Sequence, residues 1–282
     1  MWRDLRGAVK GYAPDAPLIG EDTAGPVDAS PYLLGTELDG IMNYRFRDIA
    51  LGFVRPTNWT DSSGTIPALR PREAAHALQA VLEDYPRQAA AVSFNLLDSH
   101  DTNRALFVLT EPPYIASQRL RLATLLQFTA FGAPMVYYGD EVAINAPGKS
   151  GFGDPYNRAP YPWADASGDV KTYGPPEIET LSYYSQLGAV RHSLPALRTG
   201  SVVTLFTSAD IYAFARVAPP QKPVVVVLNK ADHDATAAIP IRGLYPNGVL
   251  QNVLTGEKFA VGGGQLRVTV TDRSGLVLVG TS

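Results

Sequence analysis

The spacing of hydrophobic residues changes once along this chain, near residue 200, and that change limits the possible folds more than any other feature. Before it, short apolar runs alternate with segments whose apolar residues recur every three or four positions, which is typical of strands alternating with helices. After it, apolar residues recur at every second position in short runs divided by Gly, Pro and Asn. The sequence therefore predicts an α/β domain over residues 1–200 and an all-β sandwich over residues 201–282.

The first domain contains too few strands to close a sheet. The predicted strands are 16–20, 40–44, 92–98 and 135–138, and the predicted helices are 71–91, 117–131 and 177–193. Open parallel sheets usually carry helices on both faces, and a barrel interior needs closure. Four strand–helix units are half of an eight-unit barrel, so the predicted fold class is α/β, a partial (β/α)₈ TIM barrel followed by the sandwich. Seven strands are predicted there: 202–206, 211–216, 224–228, 236–241, 249–254, 266–270 and 276–279.

Composition excludes several classes of function. The formal net charge of −3 and the absence of a basic cluster give no electrostatic basis for nucleic-acid binding. The chain contains no Cys, which excludes disulfides and thiolate metal sites. No apolar run reaches membrane-spanning length, and residues 1–6 are too charged for a signal peptide. The sequence thus predicts either a cytoplasmic chain or one whose true amino terminus has been removed, and it leaves the localisation open.

Polar side chains follow the apolar runs at four points, where a βα fold places its reactive groups. These points are Glu21-Asp22, Asn43-Tyr44, Ser99-His100-Asp101 and residues 137–141. Taken one at a time, each has an ordinary structural interpretation as a helix cap or a solvated loop. Their joint position at the same end of successive strands predicts one pocket instead. A Ser-His-Asp triad is excluded at residues 99–101, because adjacent side chains point apart.

Residues 94–104, Phe-Asn-Leu-Leu-Asp-Ser-His-Asp-Thr-Asn-Arg, resemble the seventh-strand signature of the α-amylase family of glycoside hydrolases. Residues 16–21, 40–47 and 132–141 are similar to the family's fifth, sixth and eighth strands. The loop 153–163 resembles one that lines the non-reducing side of the site in neopullulanases, cyclomaltodextrinases and amylopullulanases. The resemblance implies strands five to eight of the barrel, joined to the family's terminal β-domain.

The resemblance also implies roles for individual residues. Glu21 corresponds to the general acid/base, and Asp101 to the carboxylate that grips two sugar hydroxyls as the ring flattens in the transition state. Further sugar contacts or residues shaping the site are implied at His100, Asp154, Arg158, Tyr138 and Asn43. Arg104 is expected to be a structural partner for a nearby carboxylate. The resemblance implies no cofactor, and no metal ligands are assigned.

One part of the family pattern is missing from the sequence. The family nucleophile is an Asp in a Gly-x-Arg-x-Asp segment on the fourth strand, and no such segment precedes Glu21. Asp4 and Asp15 fall in a helix and its exit turn, so neither is expected to replace it. We therefore expect a fragment of a retaining hydrolase of α-glucans such as starch, pullulan or maltooligosaccharides, inactive alone.

Two alternatives remain open at this stage. The chain could be a non-catalytic glucan-binding or scaffolding protein, or a transglycosylase of the same family, because the same residues serve hydrolysis and transfer. The expected partners are an α-glucan and a complementary amino-terminal half-barrel. Without that half, unpaired strand edges predict self-association.

Overall fold

The computed structural model describes residues 1–21, 23, 25–61, 64–110, 112–145, 155–163 and 177–281. Helices and a parallel sheet occupy the described residues up to Thr199, and antiparallel strands begin at Ser201. None of the helices in the described part of the chain is long and apolar enough to cross a membrane.

A short parallel sheet forms the centre of the first region. Its strands are β1 (Ile19–Gly20), β2 (Gly40–Asn43), β5 (Phe94–Asn95) and β6 (Ala133–Pro134). They lie in chain order, and each pairs with the next in parallel. Sequential parallel neighbours are the arrangement found in a (β/α)₈ barrel, so the predicted α/β class is confirmed. A separate hairpin joins β3 (Trp59–Asp61) to β4 (Gly64–Ile66).

Helices cover the sheet. Those of the first region are α1 (Trp2–Tyr12), α2 (Pro26–Ala29), α3 (Tyr44–Val54), α4 (Pro71–Asp84), α5 (Arg87–Val92), α6 (Ala105–Val108), α7 (Ala116–Thr129), α8 (Ile178–Ser193) and α9 (Pro195–Thr199). Short 3₁₀ turns occur at Ser30–Leu33, Pro113–Ile115, Asp140–Val142 and Tyr156–Arg158. The prediction of one helix over 71–91 was wrong: Tyr85 is extended before Pro86, as residues that precede proline tend to be, and the helix restarts at Arg87.

The strand predicted at 135–138 was also wrong. The structure places β6 two residues earlier, and Met135 makes the last sheet hydrogen bond, from its N–H to the Asn95 carbonyl at 2.9 Å. Beyond it the chain turns, because Asp140 N–H donates to the Tyr137 carbonyl. The rings of Tyr137 and Tyr138 in this run pack instead against the buried guanidinium of Arg104.

The second region is one eight-stranded antiparallel sheet in the described part of the chain. Its strands are β7 (Ser201–Thr207), β8 (Ile211–Val217), β9 (Val224–Asn229), β10 (Ala235–Pro240), β11 (Gly248–Asn252), β12 (Lys258–Gly262), β13 (Gln265–Val270) and β14 (Ser274–Gly280). The sheet folds over, so that residues such as Ala213 of β8 and Ile239 of β10 share one core. Strand β12 was missed by the sequence prediction, because only Phe259 and Val261 mark it between two glycine-containing turns.

Hydrophobic packing joins the two regions. One buried cluster contains side chains of α3 and α7 together with Tyr212, Phe214 and Val226 of the β-sheet. Arg216, on β8, donates to the Thr129 carbonyl at the end of α7 at 2.7 Å, and to the Gly200 carbonyl at 2.8 Å. The β-sheet thus holds the carboxyl end of a barrel helix directly.

Candidate active site

Glu21 follows β1 directly, and its side chain is 45 % exposed. Tyr44 begins α3 immediately after β2, and its hydroxyl donates to Glu21 Oε1 at 3.1 Å. The same tyrosine oxygen lies 3.1 Å from Ser99 Oγ, on the loop that follows β5. Three neighbouring strands therefore contribute one side chain each to a continuous hydrogen-bonded group at the carboxyl edge of the sheet.

His100 and Asp101 are presented by a tight turn after β5. Ser99 N–H donates to Thr102 Oγ1 at 2.9 Å, and Asp101 N–H donates to Ser99 Oγ at 3.1 Å. This turn brings His100 Nε2 to 3.3 Å from Asp101 Oδ2 and to 3.6 Å from Glu21 Oε1. The predicted convergence of these three side chains is therefore present in the structure.

The loop that carries Arg158 is fastened to the same turn. Arg158 Nη2 donates to Asp101 Oδ1 at 2.9 Å, and its Nε donates to the His100 carbonyl at 3.1 Å. Asn157 Nδ2 donates to that carbonyl as well. Each carboxylate oxygen of Asp101 thus faces a different nitrogen, from Arg158 or from His100. Asp154, the other residue predicted on this loop, lies outside the described residues.

Tyr138 lies at the rim of the site, with 39 % of its surface exposed. Its hydroxyl donates to the Ala159 carbonyl at 2.9 Å, and its ring packs at 4.6 Å against that of Tyr137. These contacts hold the loop of Arg158 against the turn after β6. A direct sugar contact by Tyr138 stays a prediction.

The expected sugar contact at Asn43 disagrees with the structure. Asn43 is 2 % exposed; its amide nitrogen donates to Asn95 Oδ1 at 2.9 Å, and its oxygen accepts from the N–H of Phe46. Both ends of the side chain are used, one between strands and one as the N-cap of α3. The neighbouring Tyr44, one position along, is the residue of this segment that reaches the site.

A second charged cluster lies buried beneath the exposed one. Arg104 is fully buried, and its Nη1 lies 3.7 Å from Asp140 and 4.0 Å from Asp98, as expected for a structural partner of carboxylates. The guanidinium also packs over the rings of Tyr137 and Tyr138, at 4.2 and 4.6 Å. Burial raises the pKa of both aspartates, that of Asp140 most strongly, because the charge of Asp98 adds to the effect. Arg104, Asp98 and Asp140 thus form a buried charged cluster that supports the turn after β5, and the two carboxyl groups share a hydrogen bond.

Sequence reasoning placed Tyr44 and Ser99 among the polar residues at strand ends but assigned neither a role in the site. Burial, together with the nearby charges of Glu21 and Asp101, raises the pKa of Tyr44 to about 12, so its hydroxyl remains a donor. The available signal was position: Tyr44 follows a strand end as directly as Glu21 does.

The exposed cluster also has the spacing of a cation site, since Glu21, His100 and Asp101 offer ligand-type atoms within 4.8 Å of one another. All three side chains are 43 to 46 % exposed and take part in contacts with protein groups. Exposed acidic groups with this spacing are common without an ion. We therefore assign them no ligand role.

The sequence of residues 1–170 matches the family model of the α-amylase catalytic domain. The chain belongs to the α-amylase family. Residues 202–277 match a second model, the neopullulanase-like C-terminal domain. The predicted family and fold, a TIM-barrel portion followed by a β-domain, are thereby confirmed.

Relatives of this α-amylase family member align along nearly all of its length. An amylopullulanase of Thermoanaerobacter thermohydrosulfuricus is 28 % identical over 99 % of this chain and 19 % of its own. Neopullulanase 2 of Thermoactinomyces vulgaris is 33 % identical over 99 % of this chain and 42 % of its own.

Among solved structures, a Thermus thermophilus protein superposes with a TM-score of 0.84 at 28 % identity, covering 99 % of this chain and 56 % of its own. The acarbose-soaked Nostoc punctiforme debranching enzyme gives 0.73 at 27 % identity, covering 99 % and 54 %. The chain spans about half the length of these solved structures and less than half of the two relatives.

Proposed function

We propose that residues 1–282 carry the acid/base half of a retaining α-glucan hydrolase site. The supporting observation is that Glu21, after β1, lies close to His100 and Asp101, which both follow β5, at the edge of the sheet where barrels build their sites. Relatives named amylopullulanase, neopullulanase and cyclomaltodextrinase favour α-glucans of the starch and pullulan type as the substrate class.

Each residue has one task in the proposed reaction. Protonated Glu21 gives its proton to the glycosidic oxygen as that bond breaks, and its carboxylate then takes a proton from the water that releases the sugar. Asp101 holds two ring hydroxyls, and His100 donates to the same ring, with both contacts tightening in the transition state. Arg158, paired with Asp101 at 2.9 Å, contacts the next sugar on the non-reducing side, together with Asp154.

The covalent step needs a second carboxylate about 5–5.5 Å from the acid. Residues 1–282 contain no Gly-x-Arg-x-Asp segment. We therefore assign the nucleophile to a complementary half-barrel that pairs with β1 and β6, the edge strands of the sheet in the described part of the chain. Helix α1 fits this assignment, because it buries none of its residues although Trp2, Leu5 and Val9 share one side of it. Without the complement, the same edges are expected to drive self-association.

The test is complementation. Residues 1–282 are mixed with the first four barrel strands of neopullulanase 2, and release of reducing sugar from maltotriose and pullulan is measured. We expect turnover only in the mixture, and in it Glu21→Gln should lower kcat by about 10³-fold or more, since it removes the acid/base. Glu257→Gln, at an exposed position in the turn between β11 and β12, is the matched control and should leave kcat unchanged.

The alternatives correspond to distinct results of the same assay. Maltotriose binding without turnover in the mixture identifies a glucan-binding protein, whereas formation of longer oligosaccharides identifies a transglycosylase. Robust turnover by residues 1–282 alone, abolished by Glu21→Gln, would contradict the assignment of the nucleophile to another segment.

A further inference from the structure

A chain of hydrogen bonds connects the two carboxylate-bearing loops of the proposed site. It runs from the backbone N–H of Asp101 to Ser99 Oγ, from Ser99 Oγ to the Tyr44 hydroxyl, and from that hydroxyl to Glu21 Oε1, with each step at 3.1 Å. Ser99 is fully buried and Tyr44 is half-buried, so water has little access to these middle links. This hydrogen-bond chain spans three strands, and its middle residues, Ser99 and Tyr44, carry no formal charge.

The direction of each hydrogen bond follows from the number of protons available. A backbone N–H can only donate, so Ser99 Oγ accepts from Asp101. The Glu21 carboxylate can only accept, so the single proton of the Tyr44 hydroxyl points to Oε1. The hydroxyl of Ser99 must then donate to the Tyr44 oxygen. All donors in the chain therefore point toward Glu21, and aligned hydrogen bonds of this kind strengthen one another.

We propose that Tyr44 is the positioning residue of the acid/base Glu21: its hydroxyl occupies Oε1, and Oε2 is thereby the oxygen that exchanges a proton with the glycosidic oxygen and with water. The proposal rests on the proposed function. His100 Nε2 is also nearest to Oε1, at 3.6 Å, so that both contacts fall on Oε1 and neither on Oε2 among the described residues. Tyr44 keeps its own proton throughout the reaction and transfers none.

Among the described residues, the charged and titratable groups near Glu21 are Tyr44 from α3, together with His100 and Asp101 from the loop after β5, and Arg158 lies on the far side of Asp101. Tyr44→Phe removes only the hydroxyl and keeps the ring, so it isolates the contribution of this hydrogen bond.

The first test needs no enzymatic activity. Residues 1–282 are labelled with carbon-13 at the Glu side-chain carboxyl groups, and the Glu21 signal, assigned as the one lost in Glu21→Gln, is recorded by NMR. We expect Tyr44→Phe to move the chemical shift of this signal, because the hydrogen bond at Oε1 is lost. Ser99→Ala should move it in the same direction by less. Tyr32→Phe is the matched control, since Tyr32 lines the same cavity as Glu21 and takes no part in this chain of hydrogen bonds.

An unchanged Glu21 signal in Tyr44→Phe overturns the proposal. The second test uses the complemented enzyme and two substrates. Hydrolysis of maltotriose needs protonation of a poor leaving group, whereas a dinitrophenyl maltoside does not. Tyr44→Phe should lower kcat/KM, which reports the step that breaks the glycosidic bond, about tenfold on the first and less than twofold on the second. Equal losses on both substrates indicate a merely structural role and contradict the proposal. An inactive wild-type mixture rejects the proposed function, while the NMR signal of Glu21 still decides whether Tyr44 contacts it.

Discussion

Asp98 and Asp101 lie three residues apart on one loop and experience opposite environments. Asp98 is fully buried, faces Arg104 at 4.0 Å and Asp140, and accepts the backbone N–H of Ala105 at 2.7 Å. Asp101 is 46 % exposed and faces Arg158 at 2.9 Å. The buried aspartate supports the turn, and the exposed one is accessible from solvent.

Two chemically identical carboxyl groups therefore have different roles because they differ in solvent exposure. A buried charge pair is strongly coupled to folding, because breaking it leaves an uncompensated charge in a poorly solvated place. An exposed pair is screened by water and contributes little to stability, so its members can exchange partners when a sugar arrives. The buried cluster is accordingly predicted to govern stability and the exposed cluster to govern chemistry.

The largest expected effect is the loss of Arg104. Arg104→Ala removes the nearest cation of two buried carboxyl groups and should lower the free energy of unfolding by about 3–5 kcal/mol, as measured by urea denaturation. Arg158→Ala removes the corresponding cation of the exposed cluster and should cost less than about 1 kcal/mol. Equal losses in the two variants would erase the distinction between the clusters.

The next effect depends on pH. Since the pKa of Asp140 is raised in the folded state, the unfolded chain releases this proton first, and the contribution of Asp140 to stability is lost as pH rises from about 4 toward the folded pKa. Asp140→Asn keeps a neutral side chain at all pH values. Relative to this variant, the unfolding free energy of the wild type should fall by up to about 1.4 kcal/mol per pH unit over that window. Urea denaturation in steps from pH 4 to pH 8 measures the difference, and parallel curves would show that Asp140 does not hold the proton.

The smallest effect on folding is expected at the proposed catalytic carboxyl groups. Glu21→Gln and Asp101→Asn should change the unfolding free energy by no more than about 0.5 kcal/mol, because both groups are nearly half exposed. The same two substitutions should abolish most of the turnover in the complemented enzyme. A stability loss comparable to that of Arg104→Ala would move these residues into the structural cluster.

Much of the site could be predicted because strand ends have a sequence signature. The polar groups Glu21 and His100-Asp101 directly follow apolar runs, and parallel strands bring such positions to one edge. The pattern does not tell which of two adjacent polar residues turns inward. Asn43 and Tyr44 were equally placed, and the choice depended on Asn95 and Phe46, which offer partners to the asparagine amide inside the fold.

The elements of the fold that escaped prediction have similar causes. Helix α3 begins at the end of β2 without an intervening loop, so its apolar residues merge with those of the strand. The tyrosines at 137 and 138 resemble strand residues, but their rings are held by Arg104, which is distant in sequence. In both cases the local pattern conceals the element, by continuity with the strand in the first and through a tertiary contact that overrides local preference in the second.

The packing of the β-sheet against the barrel helices limits how domains of family members can be recombined. The composition changes at residue 200, which looks like a natural breakpoint, yet Tyr212 packs edge-to-face on Phe53, with ring centroids 6.4 Å apart. Arg216 reaches across the same line to the end of α7. A chimaera that exchanges the β-domain at this breakpoint cuts through one packed core, so an incoming domain has to bring an aromatic ring and a guanidinium that fit the recipient's helices.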